Sequence, residues 1–454
     1  MKKLLLMSIA LVSSQMCYSQ VDSLSTQNRL NQYGKLVERK SLNAENRNGI
    51  LVFESKDQEY RFWFDARVQI DGQVFSRNTY NDIGDGASIR RARFAVKANV
   101  TKNWYGELDL DFANGSLDLN DAYIAYDFLN GFSARAGNFK ERFSMSQTAS
   151  SRYLNFMERA TVVTAFAPSR HIGVETAYNG KYFTTSAGIF FQEVGNAETR
   201  AFVEENSKTY GRDEGISATG KFVYQPFGDN PDKGIHIGYA LSYRNPKTSE
   251  DPATYNSIRY NTRTVSSINR KKYLDTDAIT DYSHQILQNI ELAGFYKGLG
   301  VQGEYIFNTT YRKNGKENLN FSGFYIQTTY MVFGGKQFYN KSEGEFSEPY
   351  KGKKWGDVEA AFRYDYINLN DKDVYGGSAS VYTPGINFYT AKNVKFQLNY
   401  SIVNHDRYAN GKGKLFVGND AAGNPTKDPA QVVDAKGKAG EDYNILGLRC
   451  EIDF

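Results

Sequence analysis

The sequence predicts an all-β protein, a transmembrane barrel of sixteen antiparallel strands, on three observations. Segments of about ten residues, the length of a tilted strand crossing a bilayer, alternate apolar and polar side chains along most of the chain. Beyond the first residues no apolar run approaches the roughly 20 residues of a spanning helix. The final segment alternates in the same way and stops on Phe454. Composition agrees: aromatics make up 15% of the chain, with 33 Tyr and 30 Phe against 9 Pro, while mean hydropathy is negative. A chain whose strands show one face to lipid and the other to water has that balance.

The N-terminus sets the compartment. Lys2 and Lys3 precede an apolar stretch, Leu4 to Val12, and Cys17 and Ser19 occupy the −3 and −1 positions of a cleavage site before Gln20. Residues 1–19 are therefore expected to be a secretory signal peptide, too short to span. A lipid anchor on Cys17 is the alternative, disfavoured by Gln15 and Met16 before it. With the leader removed only Cys450 remains, which excludes an internal disulfide and a two-cysteine metal site. Residues 20–57 read as a periplasmic extension, its polar stretch from Val21 to Asn48 flexible or weakly helical. The barrel is expected over 58–454.

The first barrel segment sets Phe62, Phe64, Ala66, Val68 and Ile70 against Trp63, Asp65, Arg67, Gln69 and Asp71. In the second, Ala92, Phe94, Val96, Ala98 and Val100 oppose Arg91, Arg93, Lys97 and Asn99. The third opposes Trp104, Leu108, Leu110 and Phe112 to Glu107, Asp109 and Asp111. Successive strand side chains point to opposite faces, so each strand has an apolar face and a charged one. Alternation continues at 122–128, 132–139, 172–178, 183–191, 216–224, 235–243, 286–296, 301–307, 324–332, 358–366, 382–388, 394–400 and 446–454. A soluble sandwich also alternates, but its strands are usually nearer five or six residues.

Connector lengths orient the barrel. Short connectors (101–103, 129–131, 179–181, 297–300, 390–392) follow even-numbered strands and long ones (195–215, 244–282, 404–442) follow odd ones. Short turns are periplasmic in outer-membrane barrels, so both termini are expected there. The connector 334–356 breaks the parity, as an exception or an unrecognised hairpin. In the last segment Leu446, Leu448, Cys450, Ile452 and Phe454 share the lipid face. A closing aromatic resembles the signal read by the outer-membrane assembly machinery. The inward faces, charged in opposed blocks, are expected to line a conducting lumen and not a filled core.

Between Arg135 and Arg170 stand six cations (Arg135, Lys140, Arg142, Arg152, Arg159, Arg170) against Glu141 and Glu158. Excess positive charge between low-dielectric walls concentrates anions. Arginine's planar fork and lysine's compact charge both suit phosphate, and rings of such residues serve anion pores. The plainer reading makes these solvated loop charges, with Arg159 pairing with Glu158.

Three blocks resemble the phosphate-selective porin O and P family. They are Ile89-Arg90-Arg91-Ala92-Arg93 with Phe94-Ala95-Val96, then Glu107-Leu108-Asp109-Leu110-Asp111-Phe112-Ala113 leading to Leu119-Asn120-Asp121-Ala122-Tyr123. The third is Gly137-Asn138-Phe139-Lys140-Glu141-Arg142-Phe143-Ser144 followed by Ser150-Ser151-Arg152-Tyr153-Leu154-Asn155-Phe156-Met157-Glu158-Arg159. The close match covers about residues 58–195. Arg142 stands where the family motif has proline. The resemblance implies a homotrimer of sixteen-stranded barrels, the third outside loop folded inward as the constriction. It also implies an anion site at Lys140 and Arg152, with phosphate or polyphosphate as the permeant ion.

Arg91, Arg93 and Lys97 are expected to extend a basic path to that site, with Arg67 joining it and Arg142 adding charge. The acids Glu107, Asp109, Asp111 and Asp121 oppose it, which leaves a weakly selective general porin open. Four histidines (His171, His236, His284, His405) lie apart from one another and form no close-spaced metal motif. No cofactor, catalytic group or nucleic acid partner is expected; lipid and small anions are. A non-conducting adhesin or structural barrel is the remaining alternative.

Overall fold

The computed structural model describes residues 30–37, 40–191, 215–246, 257–391 and 393–454. The expected leader and most of the connector 195–215 lie outside these residues. Sixteen strands form the wall. They begin with β1 (Arg61–Ser76), β2 (Gly86–Asn99), β3 (Trp104–Asp111), β4 (Asp118–Asp127), β5 (Phe132–Lys140) and β6 (Arg170–Asn179). Next come β7 (Phe183–Phe190), β8 (Gly215–Tyr224), β9 (Lys233–Pro246), β10 (Tyr282–Tyr296) and β11 (Leu299–Arg312). The set ends with β12 (Leu319–Met331), β13 (Asp357–Asp371), β14 (Val374–Ala391), β15 (Val394–His405) and β16 (Asp442–Asp453). Each pairs antiparallel with the next, and β16 returns to β1 from Asn444↔Ser76 to Asp453↔Arg67. Closure satisfies every strand's backbone groups, which a bilayer demands.

The expected alternation sets the faces. Asp65, Arg67, Gln69, Asp71 and Gln73 are buried on β1, whereas Ile70 and Val74 are 50% and 53% exposed on the outer surface. Leu446, Leu448 and Ile452 face outward on β16, and Cys450 is a free thiol there. Short connections such as 100–103, 128–131, 180–182 and 297–298 lie at one rim. The long connections 141–169, 247–281 and 406–441 lie at the other.

Two expectations need correction, and one left open is decided. Part of the stretch from Val21 to Asn48, read as flexible or weakly helical, is strand among the described residues. Leu42–Arg47 and Ile50–Ser55 form a hairpin, and Val52–Glu54 pairs with the start of β1. Its turn is Asn48-Gly49, both at positive φ (55° and 90°), the pair that a two-residue hairpin turn favours. The Ile50–Phe53 run after it supplies β-branched and aromatic residues that suit a strand.

The connector 332–356 proves to be a hairpin. Tyr339–Asn340 pairs with Glu345–Phe346, and a Lys336↔Tyr350 bridge lies farther back. Gln337 donates to Thr329 (3.1 Å) and Glu359 (3.0 Å), and the Tyr339 hydroxyl meets His236 (2.6 Å) and Gln225 (3.0 Å). These wall residues are buried on the inner face, so the hairpin turns into the barrel.

Nor is the inward face charged throughout. Towards the long-loop rim of β10–β16 it carries Leu287, Ile306, Phe321, Ile367, Leu369, Val381, Val403 and Tyr443, all nearly inaccessible. They pack against Phe143, Val162, Val163 and Phe166 from one connection and Ile258, Tyr260, Tyr273 and Leu274 from another. Burying each such side chain is worth about 1.5–3 kcal/mol. An apolar core therefore fills that side and leaves the charged side, around β1–β6, as the polar interior.

Candidate functional site

The segment 141–169 contains two short helices, α1 (Met145–Thr148) and α2 (Thr161–Phe166). Most of its backbone has no regular partner, and buried peptide groups must find one. Side chains of the wall supply them. Glu291 and Glu304 accept from the Met145 and Ser146 amides (2.7 and 2.8 Å), and Asn399 accepts from Met157 (2.8 Å). Lys395, Gln397 and Arg363 donate to the carbonyls of Arg152 (2.6 Å), Leu154 (2.9 Å) and Glu158 (2.9 Å). At the segment's start Arg244 reaches both Glu141 oxygens (2.9 and 3.0 Å) and His171 lies 2.7 Å away. Burial pushes the Glu141 carboxyl up, but Arg244 and His171 outweigh it and hold it at about 2. The segment is thereby tied to strands on both sides of the barrel.

Two polar cavities flank it. One, of about 270 Å³, opens between the lower halves of β1–β6 and the tip of the 332–356 hairpin. It is lined by Arg67, Arg93, Lys97, Arg135, Lys140, Arg142, Arg152 and Arg170 against Asp65, Glu107, Asp109, Asp121, Glu343 and Glu345. The second, of about 470 Å³, lies towards the long-loop rim. It has five cations (Arg90, Arg159, Arg263, Arg270, Lys272) against Glu158.

The first cavity gathers most of the residues singled out from the sequence, but most of their charges are already paired. Arg152 makes an ion pair with Asp65, with Asp453 3.7 Å from its Nε. Arg142 lies 2.7 Å from Glu175 and 3.2 Å from Glu343. Arg93 contacts Asp111 (3.1 Å) and Asp109 (3.8 Å), and Lys97 contacts Asp65 (3.0 Å) and Glu107 (3.3 Å). Arg170 holds Asp121 through two hydrogen bonds of 3.0 and 2.6 Å. Arg67 pairs with Asp453 at 2.9 Å. Arg91 and Asp111 lie outside the cavity lining; Arg91 is buried and donates to Gln69 at 2.6 Å.

Lys140 and Arg159 differ. Lys140 Nζ donates to the carbonyls of Thr148 and Ala149, both at 3.0 Å. Arg159 donates to Ser146 (2.7 Å) and to the same Ala149 carbonyl (2.8 Å). Among the described residues neither has a carboxylate within 4.0 Å. Lys140 lines the first cavity and Arg159 the second. Two cations without a contacting carboxylate among the described residues thus share one carbonyl, that of Ala149, between the two cavities.

Arg159 does not pair with Glu158. A bulge between Gln69 and Ile70 leaves Arg90 as the extra residue of β2, so its side chain reaches Glu158 at 2.6 Å. Arg449 contacts the same carboxylate at 3.4 Å and grips Asp71 at 2.7 and 2.8 Å. Burial raises the Glu158 carboxyl, yet Arg90 and its neighbours hold it well below the usual carboxylate range. Sequence reasoning missed Arg90, because a bulge is invisible to strict alternation, and missed Arg263, Arg270 and Lys272. The basic run from Arg259 to Lys272 inside the long connector was the available signal.

Comparison with known proteins agrees with this fold. A family model, described as phosphate-selective porin O and P, matches residues 62–421. An uncharacterised protein of Caulobacter vibrioides is 24% identical over 369 residues, covering 79% of this chain and 71% of its own length. Among solved structures, the anion-selective porin from Comamonas acidovorans overlays with a TM-score of 0.52 at 10% identity, over 87% of this chain and 100% of that one. The outer membrane channel DcaP of Acinetobacter baumannii gives 0.50 at 12% identity, over 88% and 99%. OmpT of Vibrio cholerae gives 0.50 at 11%, over 87% and 98%. At such identities the likeness to the solved structures is one of fold.

Proposed function

This chain belongs to the phosphate-selective porin O and P family and is an outer-membrane channel, a premise from which we propose that it conducts small anions, phosphate-like ones among them, past Lys140 and Arg159. One observation carries the proposal. Most cations near the segment 141–169 have carboxylate partners, while these two share a carbonyl and, among the described residues, have no carboxylate in contact. An anion passing between the cavities gains attraction from both and displaces no carboxylate to do so. Lys140 offers its third N–H, and conduction follows because so few fixed contacts hold the ion weakly enough to leave. The segment acts as the constriction, anchored by Glu141, Glu291 and Glu304.

In this reading Arg152, Arg142, Arg93 and Lys97 shape the wall's field as members of ion pairs. Asp109, Asp111 and Asp121 are their counter-charges. Residues 1–19 are a secretion signal and the short-turn rim faces the periplasm. The last strand through Phe454 directs assembly, and a homotrimer is the working unit. A second reading, a weakly selective general porin, draws on the six carboxylates in the lower cavity.

Reversal potentials across a planar bilayer under a potassium chloride gradient test the choice. The native channel is expected to prefer chloride, and Lys140→Ala with Arg159→Ala to lose that preference or invert it. An unchanged reversal potential in the double variant would remove the site from these two residues. A native channel that conducts without ion preference would favour the second reading.

A further inference from the structure

The hairpin at 332–356 enters from the short-turn rim, so its tip approaches the 141–169 segment from the opposite side to the long connections. At the tip Gly344 adopts φ +69° between two glutamates, and its amide donates to the Asn340 carbonyl at 2.9 Å. Only a residue at ease in the left-handed region lets the chain reverse there, and the reversal carries Glu343 and Glu345 into the cavity that Lys140 lines. Glu343 accepts from Arg142 at 3.2 Å, with nearly half of its side chain open to the cavity (46%). Glu345 is buried.

We propose that Glu343 and Glu345 are specificity-determining residues of the channel, fixed anions whose charge opposes a permeating anion at Lys140 and limits how strongly the pore prefers anions. The proposal rests on reading Lys140 as an anion site. Nothing in the hairpin's own fold requires two acids at its tip. Its attachments run through Gln337, Tyr339 and the carbonyl of Lys341, which accepts from Gln225 at 3.0 Å. What the tip carboxylates do face is the site: Lys140 from β5, Arg142 from the segment after it, and Lys221 from β8, itself held by Glu291 at 2.8 Å. Helix α1, packed beside Glu345, adds the Thr148 hydroxyl and no charge. Burial and the neighbouring Glu343 push the Glu345 carboxyl up to about 7, with Lys140 opposing them. The opposing charge then grows as pH rises through that value and fades as pH falls through it.

The experiment is the same reversal-potential measurement, run from pH 6 to pH 8 on the native channel, Glu345→Gln and Glu343→Gln. In the native channel the anion preference should rise on acidification by roughly two- to tenfold, the range one charge several Å away produces in a partly screened site. Glu345→Gln should show the acid-side preference at every pH, with a flat profile. Glu343→Gln should raise the preference at pH 8 and move the Glu345 step to lower pH, because Glu343 no longer pushes that carboxyl up. The proposal fails if the native channel is anion-selective but flat with pH, or if both variants match the native channel. A native channel with no anion preference at any pH would instead overturn the reading of Lys140. Should Glu345→Gln not assemble, the native profile and Glu343→Gln still decide the matter.

Discussion

Lys140 and Arg152 look equivalent in the sequence, two cations twelve positions apart in a loop short of acids, and the fold makes them different. Arg152 is drawn to Asp65 and Asp453 on the wall, whereas Lys140 is held by two carbonyls of its own loop. Arg152→Ala should therefore shift the reversal potential less than Lys140→Ala, a comparison made on matched single variants. Strand periodicity told which residues face inward. It could not tell which of them pair, because that depends on residues as distant as Asp453. The same limit applied to Arg159, read as a partner of Glu158 although Arg90 and Arg449 hold that acid. Gly137 is a residue whose motif position the fold explains. It sits at φ +135°, and a Cβ there would lie 2.6 Å from the Tyr123 Cα and closer still to the Ala122 carbonyl oxygen. Gly137→Ala is expected to separate β4 from β5 beside Lys140, read as lower yield of folded barrel on heat-modifiable electrophoresis.

At the scale of elements, all sixteen strands were legible because lipid imposes an apolar residue at every second position over their whole length. Elements answering to other constraints were harder to see. The hairpin at 42–55 is announced by Asn48-Gly49 and Ile50-Leu51-Val52-Phe53, a local signal outweighed by the polar run before it. The hairpin at 332–356 surfaced only as a connector of the wrong length, since its ladder is two residues long. The interior apolar core was missed for a related reason. On β12 Leu319 and Phe321 point inward while Ile326 points out, so both faces are apolar and alternation fades. That core fixes the long connections to the barrel. Phe321→Ala, at 1% exposure, should cost about 3–5 kcal/mol, measured by denaturant unfolding of the barrel in detergent.

The whole molecule is a closed wall whose two halves differ, an apolar fill on β10–β16 and a charged polar interior beside β1–β6. The buried pair of Asp71 and Arg449 lies across the seam where β16 meets β1. Glu158 joins it to the 141–169 segment. Removing Arg449 strands the Asp71 carboxylate in a dry site, while Arg90 still holds Glu158, a loss of about 3–5 kcal/mol. Arg449→Gln should therefore destabilise the barrel and loosen the constriction together, seen as a lower unfolding midpoint and noisier open-channel current. The central claim is that a weak anion site at Lys140 and Arg159 stands in the conducting path. Titrating phosphate against single-channel chloride current in a planar bilayer tests it most directly. A block that saturates with phosphate and disappears in Lys140→Ala is the predicted result; a chloride current indifferent to phosphate, or no current at all, would contradict it.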